Sequence, residues 1–214
     1  MASKGMRYLM GIVFFSCALT ALVGGTIARA AQGGPERTVR TAQKAIDARD
    51  MALLDTCLDL ESLTIKAVDL AVTDDSVMQS VEKYPAAAVV LALGSASGAN
   101  EAIRTMLANE VVEYVRHGVT SGAFAGQPVA DASVYRGIFS KAFRGERKDR
   151  VLFGPATVTK KDASSATVTT TLVHGDKGRT YPLELLARQR DGAWRIVEIL
   201  NMPELLREAT RRKK

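Results

Sequence analysis

The sequence predicts an α+β fold: an N-terminal helical layer packed on a C-terminal four-stranded antiparallel meander, with a terminal helix. Three observations carry this. Apolar residues recur at helical spacing in segments from Val39 to Phe143. After Gly145 the pattern changes to four runs rich in Val, Thr, Leu and Ile, separated by short polar turns. The last of those turns, Asp191-Gly192, suits the positive φ angles that a two-residue hairpin demands. Helices first and consecutive strands after them place the helices over one sheet face.

The first 30 residues stand apart from that fold. Lys4 and Arg7 precede Tyr8 to Val23, a stretch without a charge, and Ala28-Arg29-Ala30 supplies the small-x-small pattern of a cleavage site. This is the pattern of a secretory signal peptide cut after Ala30. Two other fates stay open. Tyr8 to Ile27 approaches the length of one bilayer crossing, so an uncleaved leader would act as a membrane anchor. Lipidation at Cys17 is the other, although bulky Phe15 makes a poor lipobox and Cys17 is better read as part of the apolar leader. The protein is therefore expected to be exported, periplasmic or extracellular, or held at the inner membrane if the leader remains.

Lys4, Arg7 and Arg29 supply half of the formal charge of +6, and no acid leaves with them. That balance, together with export, argues against a nucleic-acid partner. Aromatic residues make up only 6% of the chain, too few for a carbohydrate or base-stacking platform. Beyond the leader the one cysteine is Cys57, so no intrachain disulfide forms; among Leu53, Leu54, Leu58 and Leu60 it belongs in a core.

The elements follow in order. Residues 31–35 form a flexible exit, and a single α+β domain covers 36–214, helical to 145 and sheet-forming from 146. Pro35 suits a first helical turn, and Val39, Ala42, Ala45 and Ile46 give the first helix its apolar stripe. Asp50 can cap a short helix from Met51 to Cys57, and Asp59 a third from Leu60 to Val72. Asp74-Asp75-Ser76 opens another helical stretch, which Pro85 interrupts before the all-apolar run Ala86 to Leu93. Asn100 caps an amphipathic helix bearing Ile103, Leu107, Val111, Tyr114 and Val115, and Gly118 is expected to end it. Asp131 caps a helix carrying Val134, Tyr135, Ile138, Phe139 and Phe143.

The strands are Val151 to Lys160, Ala166 to His174, Arg179 to Arg190 and Ala193 to Leu200. Asn201-Met202-Pro203 starts the terminal helix, with Glu204 in its first turn and Arg207, Arg211 and Arg212 late, as the helix dipole favours.

Helices followed by a meander that closes on Asp191, Gly192, Trp194, Ile196 and Ile199 resemble the nuclear transport factor 2-like superfamily, of cystatin-like α+β architecture. The helix–acid–helix segment Ala45 to Leu54 is similar to its opening. The resemblance covers roughly residues 36–56 and 151–200; residues 60–145 carry more helix than a minimal member. It implies a curved sheet with a concave side. Some members are enzymes acting on apolar ligands in a cone-shaped cavity, and many are non-catalytic binding or assembly modules.

Strict alternation along the last strand puts Trp194, Ile196, Glu198 and Leu200 on one face. An acid beside apolar neighbours would be a general acid or base if that face lined a cavity, and otherwise a rim carboxylate paired with an arginine. Tyr181 or Tyr135 would be its partner in an isomerase- or dehydratase-like enzyme. His117 and His174, the two histidines, are expected to be exposed, and neither has a serine, cysteine or acid at motif spacing. The basic clusters Arg144 to Arg150 and Arg211 to Lys214 read as solvated, with anionic lipid contact as their alternative. No cofactor and no metal is expected. The favoured function is a non-catalytic exported domain binding a protein partner or a small apolar ligand through the concave side of its sheet. Membrane contact through the N-terminal segment, a membrane-anchored envelope scaffold and a homodimer remain open.

Overall fold

The computed structural model describes residues 33–73, 100–128, 137, 150–174 and 179–210. The leader, the stretch opened by Asp74, Pro85, the apolar run Ala86 to Leu93 and the helix expected after Asp131 lie outside the described residues. So do the turn Gly175 to Gly178, residues 144–149 of the first basic cluster and the whole of the second.

The first helix, α1 (Pro35–Ala48), has proline in its first turn and buries Thr38, Val39, Ala42, Ala45 and Ile46, one stripe at helical spacing. Pro35 is itself buried. Arg49 ends the helix in the left-handed region at φ 58. Its N–H donates to Ile46 and the next N–H, from Asp50, donates to Ala45, which satisfies the last carbonyls. Asp50 then caps α2 (Met51–Cys57), its carboxylate accepting from the Leu53 N–H at 2.9 Å.

After α2 the chain extends for two residues. Leu58 lies alongside Ile196 as a parallel bridge, and the Asp59 N–H donates to the Ile196 carbonyl at 2.8 Å. The Asp59 carboxylate accepts from the Ser62 N–H at 3.1 Å and so opens α3 (Leu60–Thr73). The next described helix is α4 (Asn100–Thr120), which packs on α3.

The sheet comprises β1 (Val151–Phe153), β2 (Thr157–Lys161), β3 (Ser165–His174), β4 (Arg179–Arg190) and β5 (Ala193–Ile199). All pairs are antiparallel in the order β1-β3-β4-β5, with β2 also beside β3. The expected first strand is therefore two strands sharing one edge of β3. The break falls at Gly154-Pro155-Ala156, where proline offers no N–H. The Gly154 N–H donates to Thr171 at 2.8 Å, and its carbonyl accepts from the Thr170 hydroxyl at 2.9 Å. The Asp191-Gly192 turn has φ 52 and 78, both positive, as its hairpin requires.

Along β4 Tyr181, Leu183, Leu185 and Ala187 are buried, while Pro182, Glu184 and Arg188 are exposed. On β3 Ala166, Val168, Thr170 and Leu172 are buried. The sheet thus has one covered face and one solvated face. Strand β5 departs from strict alternation. Leu185 faces Ile199, Leu186 faces Glu198, but Ala187 faces Ile196, so Val197 is an extra residue in a bulge. The bulge puts Ile196 and Ile199 together in the core cluster, whereas simple alternation placed them on opposite faces. Past β5, the Asn201 side chain continues the ladder by bonding the Glu184 N–H and the Pro182 carbonyl, each at 2.9 Å. The terminal helix α5 (Met202–Thr210) buries Met202 and Leu205.

Gly118 does not end α4; the helix runs two residues further, to Thr120. Glycine is needed there for a different reason. The Phe124 ring, 1% exposed, occupies the space that a methyl on Gly118 would take. That ring also meets Tyr114, with centroids 6.1 Å apart, and the Phe124 carbonyl accepts from the Val151 N–H at 2.9 Å. Replacing a mid-helix glycine by alanine ordinarily stabilises by about 0.5–1 kcal/mol. Here Gly118→Ala is expected to cost about 1–3 kcal/mol in a urea melt, as overpacking does. Adding Phe124→Leu to that variant should relieve part of the penalty of the new methyl. A net stabilisation by Gly118→Ala alone would contradict the packing.

Candidate functional site

Glu198 and Tyr181 do not converge. Glu198 lies opposite Leu186, and Tyr181 stands five residues further along β4, roughly 17 Å away at strand rise. Tyr181 belongs to the covered face, 4% exposed and within the core cluster. Glu198 is partly exposed near the sheet rim and forms an ion pair with Lys66 of α3. The expected partner of a rim carboxylate was an arginine; α3 crosses β5 and presents a lysine there instead. Trp194 is partly buried against the core, and Leu200 is 42% exposed. Tyr135 lies outside the described residues.

Other polar groups are occupied in holding the fold. The Asp59 carboxylate is buried, capping α3 through one oxygen and accepting from Arg190 through the other at 2.6 Å. The Cys57 thiol is buried and contacts the carbonyls of Leu53 and Leu54. Burial pushes that thiol up and keeps it protonated, which is the opposite of an activated nucleophile. His117, expected to be exposed, is half-buried because α4 continues past it, and burial lowers its pKa. His174 is the last residue of β3. Among the described residues no group of His, Cys, Asp and Glu side chains could hold a metal ion. No described helix is long and apolar enough to cross a membrane.

Asp55 is a carboxylate displaced from its ordinary behaviour. It projects from α2 with one carboxylate oxygen buried and without a hydrogen-bond partner. Burial raises its pKa from 3.8 to about 6, against the opposing pull of Arg116 on α4 and Arg195 on β5; Asp50 raises it further. The Arg195 Nε is likewise buried without a partner.

Two of the recesses at the surface of the described residues bear on a candidate site. The smaller, about 40 Å³, lies between the start of α1, the end of α2 and the start of β5, beside Thr38, Cys57 and Trp194. It has room for only a few waters. The larger is a groove of about 610 Å³ between α3 and α4. Val68 and Ala108 are buried at its base, Val112 is half-buried, and Ile65 is 46% exposed along it. Its margins carry Glu61, Asp69, Glu101 and Glu113 against Arg104 and Arg116. Arg104 pairs with Asp69 at 3.4 Å, and Arg116 with Glu113.

Neither the groove nor Asp55 was singled out from the sequence. A usable signal for the groove was present in α3. Leu60, Leu63 and Ala67 make one apolar stripe and are buried in the core, while Ile65 and Val68 stand on a second side. A helix apolar on two sides serves two neighbours. Asp55 carries no such signal: the groups that act on it, Arg116 of α4 and Arg195 of β5, are distant in the chain.

No family model, curated protein or solved structure matches the chain.

The environment of Asp55 makes stability depend on pH. Because its folded pKa lies above its unfolded one, the folded state binds the proton more tightly. The Asp55 contribution is therefore most favourable below about pH 4, falls between about pH 4 and 6, and is level above. Asp55→Asn should remove that fall. Its stability relative to the parent should rise across this window by about 1–2 kcal/mol, once solvent screening is allowed for. Urea melts at several pH values measure it; a difference between the two proteins that stays flat with pH would contradict the assignment.

Proposed function

We propose that this protein is an exported, non-catalytic domain that holds a segment of a partner protein in the groove between α3 and α4. The groove itself carries the reading: a recess to which Ile65, Val68, Ala108 and Val112 bring apolar surface, Ile65 well exposed, between Thr64, Thr105 and Asn109, with charged residues along its margins. That arrangement, an apolar centre with a polar rim, is the anatomy of a protein interface. The covered face of the sheet favours this over a small apolar ligand. Val168, Leu172, Leu183 and Leu185 are at most 1% exposed there, packed in one cluster with residues of α1, α2 and α3.

An enzymatic role finds less support. Glu198 is engaged by Lys66, and Tyr181 is a core residue on the other face of the sheet. Export rests on the charge pattern and small-residue site of residues 1–30. Kinship with the nuclear transport factor 2-like superfamily is part of the same proposal, supported by the order of elements and the closing hairpin.

Photo-crosslinking in the producing cells tests the interface. A photoreactive amino acid in place of Ile65 should give a discrete adduct of higher mass. The same substitution at Glu184, exposed on the solvated face of the sheet, should not. An adduct at twice the chain's mass would make the partner a second copy. No adduct from position 65, or equal adducts from both positions, would contradict the proposal.

A further inference from the structure

We propose that the occupant of the α3–α4 groove is an amphipathic helix of about four turns with basic residues at both ends. The inference rests on the groove being the binding site and concerns what it accepts. The two helices run antiparallel: Asp69, late in α3, pairs with Arg104, early in α4, whereas Arg116, late in α4, lies beside Asp55 on the helix that precedes α3. The lining residues of α4 run from Glu101 to Arg116, a length of roughly 22 Å at helical rise. A channel between two helices whose apolar surface comes from Ile65, Val68, Ala108 and Val112 accepts the apolar stripe of a third helix, one of the recurrent modes of peptide recognition.

The charges then select the partner. Both arginines on the margins already face acids, Asp69 and Glu113. Glu61 and Glu101 take part in no ion pair among the described residues, and both are exposed. Each sits in the first turn of its helix, where the dipole favours an acid, and each still presents its charge to the groove. Because the helices are antiparallel, Glu101 marks one end of the groove and Glu61 the other. A helix with lysine or arginine near both ends and an apolar stripe between them matches this pattern. An anionic membrane surface does not, since the acids would repel it.

Two fluorescein-labelled peptides of sixteen residues test this by anisotropy against the purified protein. Both carry the same leucine stripe; one has lysines at its two ends, the other glutamates. The lysine peptide should bind about tenfold more tightly at low salt, with the preference fading as salt rises. Glu61→Lys combined with Glu101→Lys should reverse the preference, and Ile65→Asp should weaken both peptides, with circular dichroism confirming that each variant is folded. Equal binding of the two peptides, lost in Ile65→Asp, would overturn the basic-helix inference and leave the groove as the binding site. Binding that ignores Ile65→Asp would overturn both. Binding of neither peptide would overturn the basic-helix inference.

Discussion

The Asp59 amide, donating to the Ile196 carbonyl at 2.8 Å, joins the helical layer to the sheet. Leu58 bridges the same residue of β5 in parallel, so two residues of extended chain cover part of an edge strand that would otherwise be open to another chain. The Asp59 side chain extends the joint in two directions. One oxygen caps α3, and the other accepts from Arg190 at the close of β4, beside the last hairpin. A single buried aspartate thus sets where β5 is covered, where α3 begins, and how the hairpin is held against both. A buried carboxylate is costly unless paired and hydrogen-bonded, and here both of its oxygens are used.

The placement of α3 has consequences for the rest of the surface. With its start pinned to β5, the helix crosses that strand and brings Lys66 to Glu198. Its core stripe, Leu60, Leu63 and Ala67, is buried in the common cluster, and its other apolar side is left facing α4. The groove is what remains when a helix with two apolar sides satisfies one of them against the core. Acids along the chain are meanwhile absorbed by architecture: Asp50 and Asp59 as the caps they were expected to be, and Glu198, the acid singled out for chemistry, as an ion pair. Asp55 is different, because α2 buries it between Arg116 and Arg195 without giving both its oxygens a hydrogen bond.

Features governed by local chemistry were legible in the sequence. The caps of α2 and α3, the proline at the start of α1 and the left-handed pair Asp191-Gly192 depend on a few adjacent residues, and each stands where those residues put it. The α+β order followed from two periodicities that no tertiary contact alters. What escaped depends on contacts between distant segments. The bulge at Val197 adds a residue to β5 with no glycine or proline to announce it, and so reverses the facing of Ile199. The split between β1 and β2 is decided by bonds from Gly154 to β3. Gly118 resembles a helix stop and instead makes room for an aromatic ring six residues later. Glu198 and Tyr181 occupy neighbouring strands, as expected, but register and facing separate them.

Native-state hydrogen exchange at the Asp59 amide tests the central joint most directly. If this amide couples helices to sheet, it should exchange only through global unfolding, as slowly as the amides of β3 and β4, and share their dependence on denaturant. Exchange much faster than those strands, through a local opening insensitive to denaturant, would show that the helical layer and the sheet are not held together at this point.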